Sequence, residues 1–295
     1  MEQKHTYGGQ AVLEGVMIRG REHVSVAVRR PDGGIALQCR PLDTLFTGPL
    51  RRWPMIRGVI VLVETLALGM RALAYSANVS MEADGEELGK GGMALMIGFS
   101  VLFAVGLFFV IPVIATKPLE SFIGSAIATN FVEGALRLVI FLAYLMLISR
   151  MAEIRRVFMY HGAEHMTVHA QERGEPLEPA VVRKYPTAHP RCGTAFLLVV
   201  MVVAVMAFAF VGREPLWWLL ASRVVLIPAI AAFSYEVIRL SGKFSENPLV
   251  RLITGPSLAL QALTTRQPDD DQIEIAIAAM QSTVDADEGR DQPEV

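Results

Sequence analysis

The chain has 295 residues, 53% hydrophobic and only 19% charged, with a formal net charge of −2. A charged share below the roughly 25% of soluble domains argues against an ordinary soluble core and for a bilayer as solvent. The charge balance argues against direct nucleic-acid binding, because no strong positive field covers the chain, and two cysteines, Cys39 and Cys192, exclude a disulfide framework.

The opening MEQKHTYGGQAVLEGV lacks a basic stretch followed by an apolar one, so no cleaved signal peptide is expected. Residues 1–54 read as a cytoplasmic segment. Within it, VSVAVRR and IALQCRPL flank a Pro-Asp-Gly-Gly turn and predict a β-hairpin over His23 to Leu42. Arg19, Arg21, Arg29, Arg30, Arg51 and Arg52 form a basic set suited to anionic headgroups. Residues 55–79 are apolar except for Arg57, Glu64 and Arg71, which recur every seven residues. That period draws one polar stripe along a helix. The segment is expected to lie along the membrane interface or against other helices, the alternative being a fifth span that would put the basic residues 1–54 outside.

Two transmembrane hairpins are expected, over 93–149 and 194–240. Met93 to Thr116 and Thr194 to Val211 carry no formal charge, and the first exceeds the ~20 residues that cross a bilayer core. Their partners carry polar residues: Ser121 to Ser149 contains Asn130, Glu133 and Arg137, and Leu216 to Tyr235 contains Arg223 and Pro228. Eleven Lys and Arg lie in residues 1–92, seven in 150–193 and five in 237–295, against one in each short turn, Lys117 and Arg213. This bias places both termini and the central loop in the cytoplasm. Residues 241–284 are expected to form cytoplasmic helices, the last opening at Pro268 and running to about Thr283, and 285–295 a disordered acidic tail. The fold class is thus mainly α: a polytopic membrane protein of about four spans, an interfacial amphipathic helix and a small cytoplasmic β-hairpin.

Four of the six histidines fall between 161 and 189. His161-Gly-Ala-Glu164-His165 puts two imidazoles one helical turn apart, a spacing that binds one metal ion, with Glu164 beside them as base or ligand-orienting group. His189-Pro-Arg-Cys192 follows at the entry to the third span. In an antiparallel hairpin His189 and Cys192 can meet His161 and His165. Four ligands would make a closed structural zinc, and three would leave a position open. The spacing leaves both readings open. His169 reads as a polar neighbour and Cys39 as a buried small residue. Within the membrane, Glu133, Arg137 and Arg223 are expected to face inward and pair, as an ionic clamp or a polar path.

The segments GGQAVLEGVMIRG (8–20), YHGAEH (160–165) and HPRCGT (189–194) resemble the YqhQ-like bacterial membrane proteins, some of which are described as predicted metal-dependent enzymes. The resemblance spans about residues 7 to 280. It implies a multi-spanning helical protein of the bacterial cytoplasmic membrane. By position it implies a site of His161, Glu164, His165, His189, Arg191 and Cys192, with Glu14 and Arg19 as accessory residues; Glu14 could equally pair with an arginine for structural reasons. Met166 departs from the expected lysine after the second histidine.

The expectation is a zinc-dependent, membrane-embedded protein, hydrolytic, with its site at the cytoplasmic interface. Glu164 serves as base, with Arg191 beside it. One alternative is a non-enzymatic scaffold or accessory factor of a translocation- or ribosome-linked complex, bound at its cytoplasmic face, with the His/Cys set as a structural metal site or hydrogen-bonded knot. The other is a small transporter built on Glu133, Arg137 and Arg223, which four spans would support as a homo-oligomer.

Overall fold

The computed structural model describes residues 7–43, 48–49, 53–81, 89–190, 192–243 and 247–290. Arg51, Arg52, Arg191, Phe244 and the last five residues lie outside the described residues.

Four strands, β1 (Gly8–Val12), β2 (Gly15–Arg19), β3 (His23–Arg29) and β4 (Ile35–Pro41), form one antiparallel sheet in that order. The β3–β4 pair is the hairpin expected from the alternating pattern, with Val26 opposite Gln38. The glycine-rich segment before it makes a second hairpin. Its two-residue turn is Leu13–Glu14, since Val12 pairs with Gly15. Gly15 is required there, because a Cβ would stand 2.3 Å from the Ala27 carbonyl oxygen.

Both faces of the sheet are covered. Helix α1 (Ile56–Met81) presents Leu68, Ala72 and Val79 to Met17, Val24, Val26 and Val28. The opposite face, with Val16, Ile18 and Ala27, packs on the helix that carries the histidines and on the last helix. The three stripe residues of α1 each find an ion partner. Arg57 bonds Glu236 (Nε to Oε1, 2.7 Å), Glu64 meets Arg19 on β2 at 2.8 Å, and Arg71 lies 3.8 Å from Asp43.

The apolar part begins with α2 (Lys90–Val105), a π-helical turn over Gly106–Val110, α3 (Ile111–Thr116), a 3-10 turn and α4 (Glu120–Ile123). Pro112 explains the irregular turn: it has no N–H to offer the Phe108 carbonyl four residues earlier, which instead accepts from Arg137 Nε at 2.8 Å. Helices α5 (Ala126–Ile148), α8 (Gly193–Ala209), α9 (Leu216–Val225) and α10 (Ile227–Lys243) complete the apolar set. Between α5 and α8 stand α6 (Ala152–Arg173) and α7 (Pro179–Val182); α11 (Pro248–Thr264) and α12 (Asp270–Asp287) follow α10.

Among the described residues, three helices are long and apolar enough to cross a membrane: Ile56–Met81, Gly91–Ile123 and Ala126–Ile148. A fourth arises if α9 and α10, bent by 42°, count as one span; Pro228, at the start of α10, marks the break. The set therefore differs from the expected one. Helix α1 qualifies by length and composition, whereas the segment expected over Thr194 to Val211 is a helix of only 17 residues. Asn130 ends it, donating from Nδ2 to the Ala209 and Val211 carbonyls at 3.3 and 3.0 Å.

The C-terminal helix opens as expected and ends later. Asp269 and Gln272 close a capping box, side chain to backbone at 2.9 and 3.0 Å. Helix α12 then runs to Asp287, past Thr283, so the first residues assigned to a disordered tail are helical. The cause is tertiary. The Asp287 carboxylate accepts the backbone N–H groups of Arg21, Glu22 and His23 at 2.5, 2.9 and 3.0 Å, capping the β2–β3 turn.

Candidate metal centre

Helix α6 carries His161, His165 and His169 four residues apart, which at 3.6 residues per turn makes a ladder along one face. The ladder faces the segment leading into α8 and the end of α11. Three imidazoles are pinned to backbone carbonyls. His161 Nδ1 donates to Thr264 (2.8 Å), His165 Nδ1 to Thr187 (2.6 Å) and His169 Nε2 to Ala188 (3.0 Å). A carbonyl only accepts, so each bond fixes the ring proton and leaves the other nitrogen with a lone pair. Metal-binding histidines are held in this way.

Two ligand groups result. Donor atoms of His161, His165 and Cys192 lie within 4.8 Å of one another, as do those of His169, Glu172 and His189. Cys192 Sγ is 3.3 Å from His161 Nε2 and accepts the Thr194 N–H at 3.3 Å. His189 adjoins both groups, its ring 5.7 Å from His165 and 4.6 Å from His169. The expected four-ligand set is therefore distributed over two neighbouring groups.

Glu164 is buried, its Oε2 3.5 Å from His165 Nε2. Burial raises its pKa, against the pull of nearby His161 and His189 and a backbone bond from Gly9. Burial lowers the pKa of His165, His169 and His189, favouring their neutral, ligating forms. Two glycines let the surroundings close in. A Cβ on Gly162 would meet the Arg266 carbonyl oxygen at 2.1 Å, and one on Gly9 would meet Glu164 Cγ at 2.8 Å.

The accessory residues are engaged elsewhere. Glu14, at φ 49°, accepts from Arg156 Nη2 at 2.6 Å and from the Tyr160 hydroxyl at 3.2 Å. This is the structural pairing, and it holds a non-glycine residue in the left-handed region. Arg19 is paired with Glu64. Cys39 is half-buried on β4. The sequence signal for Glu172 is a repeated pattern: His-x-x-Glu occurs at 161–164 and again at 169–172.

The expected Glu133–Arg223 pair is present at 3.0 Å within a larger cluster. Glu133 also accepts from Arg137 (2.7 Å) and Arg213 (2.8 Å), and Arg213 bonds Glu120 and the Asn130 side-chain oxygen, both at 2.7 Å. Arg213, read from sequence as a turn charge, is buried.

A family model described as a protein of unknown function, DUF1385, matches residues 53–286. The chain belongs to this family. The "Uncharacterized protein YqhQ" of Bacillus subtilis (strain 168) is 33% identical over 288 residues, 92% of this chain and 90% of the relative. The DUF1385 match includes every residue of both ligand groups and leaves out the sheet with Glu14 and Arg19. No solved structure matches the chain.

Proposed function

We propose that the chain is a metal-dependent hydrolase of the bacterial cytoplasmic membrane, with zinc at His161, His165 and Cys192 and both termini cytoplasmic. One observation carries the metal. Three soft or borderline donors converge while the remaining ring N–H groups of His161 and His165 are bound to carbonyls. A His2Cys set suits zinc and leaves a coordination position open to water or substrate. Bound zinc supplies Lewis-acid polarisation of an ester or amide carbonyl and acidifies water. Glu164, carboxylate-bearing and buried beside His165, takes the proton from the attacking water and returns it to the leaving group. Arg191 lies in the same segment as Cys192, and its assignment to the site comes from sequence alone.

Helix lengths and lobe placement support the membrane reading. The most apolar window of Gly91–Ile123 buries none of its residues against the described chain, leaving that surface for lipid. The second half of α1 is covered by the sheet, whose edge strands need water or a partner. This supports an interfacial α1 and an N-terminus on the side of the metal centre.

A scaffold reading draws on the 3.3 Å contact between Cys192 and His161, which a hydrogen-bonded knot without metal also accommodates. The test is metal content of detergent-purified protein by mass spectrometry, wild type beside His161→Ala/His165→Ala. About one zinc bound through this group, lost in the double variant, supports the site and justifies a hydrolysis screen. Equal metal content in both sinks it in favour of the knot.

A further inference from the structure

We propose that His169, Glu172 and His189 hold a second divalent metal ion beside the His161–His165–Cys192 group. As a two-ion centre this rests on the reading above, but the second ligand set stands on its own geometry.

The donor atoms of His169, Glu172 and His189 lie within 4.8 Å of one another. His169 and Glu172 are three residues apart on α6, hence neighbours on one helix face. The His169 ring is oriented twice over: Nε2 donates to the Ala188 carbonyl at 3.0 Å, and the ring stacks on Tyr185 at 6.0 Å with planes 18° apart. This leaves Nδ1 as the ligating nitrogen.

The third ligand is held through its backbone. Gln261, fully buried on α11, accepts the His189 N–H at 2.8 Å and donates to the His189 carbonyl at 2.9 Å. His189 Nε2 stands 3.5 Å from Glu172 Oε2, longer than a good hydrogen bond and compatible with two ligands of one ion. Rotamers locked by the surrounding shell are what a metal site needs from its protein.

The chemistry of the two sets differs. A thiolate with two imidazoles selects soft or borderline ions and favours zinc. Two imidazoles with a carboxylate form a harder set that also takes Mn2+, Fe2+ or Co2+. Adjacent ions would let one substrate oxygen be held while another is activated, as in enzymes that cleave phosphoesters or peptides. Buried Glu164 lies within electrostatic reach of His161 in one group and His189 in the other.

The experiment is a Co2+ titration of metal-free, detergent-solubilised full chain, read by equilibrium dialysis and absorption. Wild type is expected to bind two equivalents, and only the Cys192 site gives a thiolate-to-cobalt charge-transfer band. His169→Ala/Glu172→Ala should drop the stoichiometry from two to one and keep the band. Cys192→Ser should lose the band and retain the second equivalent. One equivalent with the band, unchanged in His169→Ala/Glu172→Ala, overturns the second site and leaves the first reading intact. One equivalent without the band, lost in that variant, supports the second set and overturns the first reading. No binding overturns both. The wild-type titration needs no variant, so a misfolded mutant does not blur the result.

Discussion

Two buried polar clusters differ in how their groups are satisfied. Around Glu133, acceptors and donors are both on the protein: one carboxylate takes hydrogen bonds from Arg137, Arg213 and Arg223, and Asn130 and Glu120 take more. Around His165, the ring N–H groups of His161, His165 and His169 are spent on the carbonyls of Thr264, Thr187 and Ala188, and their other nitrogens converge with a thiol and a carboxyl. The first cluster pairs its charges on the protein, with Arg223 Nη1 the one fully buried guanidinium nitrogen among the described residues left without a hydrogen bond, and reads as a lock between helices. The second leaves ring lone pairs converging on one another, the arrangement on which the proposed metal site rests. Burial alone does not distinguish a site from a lock; the direction of the hydrogen bonds does.

The largest expected effect breaks the lock. Glu133→Ala leaves Arg137, Arg213 and Arg223 without the carboxylate they share and should cost about 3–5 kcal/mol, read as a lower unfolding midpoint in detergent. A cost under about 1 kcal/mol would show that the arginines are satisfied without it. The same variant that still folds should keep its metal.

Chelation attacks the other side of the comparison. A metal held at a thousandfold its dissociation constant stabilises the fold by about 4 kcal/mol. A chelator should therefore lower the wild-type midpoint and lower that of His161→Ala/Cys192→Ser by less, because only the His169–Glu172–His189 group remains to hold an ion. An equal chelator effect on both proteins would place the metal elsewhere.

Gly162→Ala tests the packing that holds the centre. Its Cβ would press on the Arg266 carbonyl, next to the Thr264 carbonyl that orients His161. Overpacking of this kind costs about 1–3 kcal/mol, and metal affinity should fall with it. Unchanged affinity would mean that the Thr264 bond survives the shift.

Protons sharpen the comparison more gently. His165, His169 and His189 have values lowered from 6.5, so in metal-free protein the unfolded chain binds more protons below that pH. Their stabilisation is present above 6.5 and is lost as pH falls toward the native values. Glu164 runs oppositely: raised from 4.5, it stabilises at low pH and loses this as pH rises through its native value. Three imidazoles against one carboxyl predict a midpoint that rises between about pH 5 and 7 in chelator-treated protein. A flat or falling profile would mean that the rings are charged in the fold.

The smallest effect is expected from Arg71→Ala. That arginine and Asp43 are exposed and 3.8 Å apart, so the change should stay within about 0.5 kcal/mol of zero by thermal unfolding. A larger loss would tie the α1 stripe to the segment after β4 more firmly than its geometry suggests.

Local patterns determined a good part of this molecule. An uncharged run marked the apolar helix Gly91–Ile123, overall apolar composition marked Ala126–Ile148 despite Glu133 and Arg137, Pro31–Gly34 marked the β3–β4 turn, and the Pro268–Asp271 stretch marked the start of α12. The four-residue spacing of His161 and His165 placed them on one face, because helical geometry is set by neighbours in the chain. Tertiary structure decided the rest. It paired Arg213 with Glu133, split His189 from Cys192, and drew Glu172 and His169 into a second group. It also ordered Asp287 against the β2–β3 turn. Each of these depends on a partner 17 or more residues away: Glu172 is 17 from His189, Glu133 is 80 from Arg213, and Glu22 is 265 from Asp287. Pattern reading sees only what repeats along the chain; which lone pairs are left facing one another depends on how distant segments close.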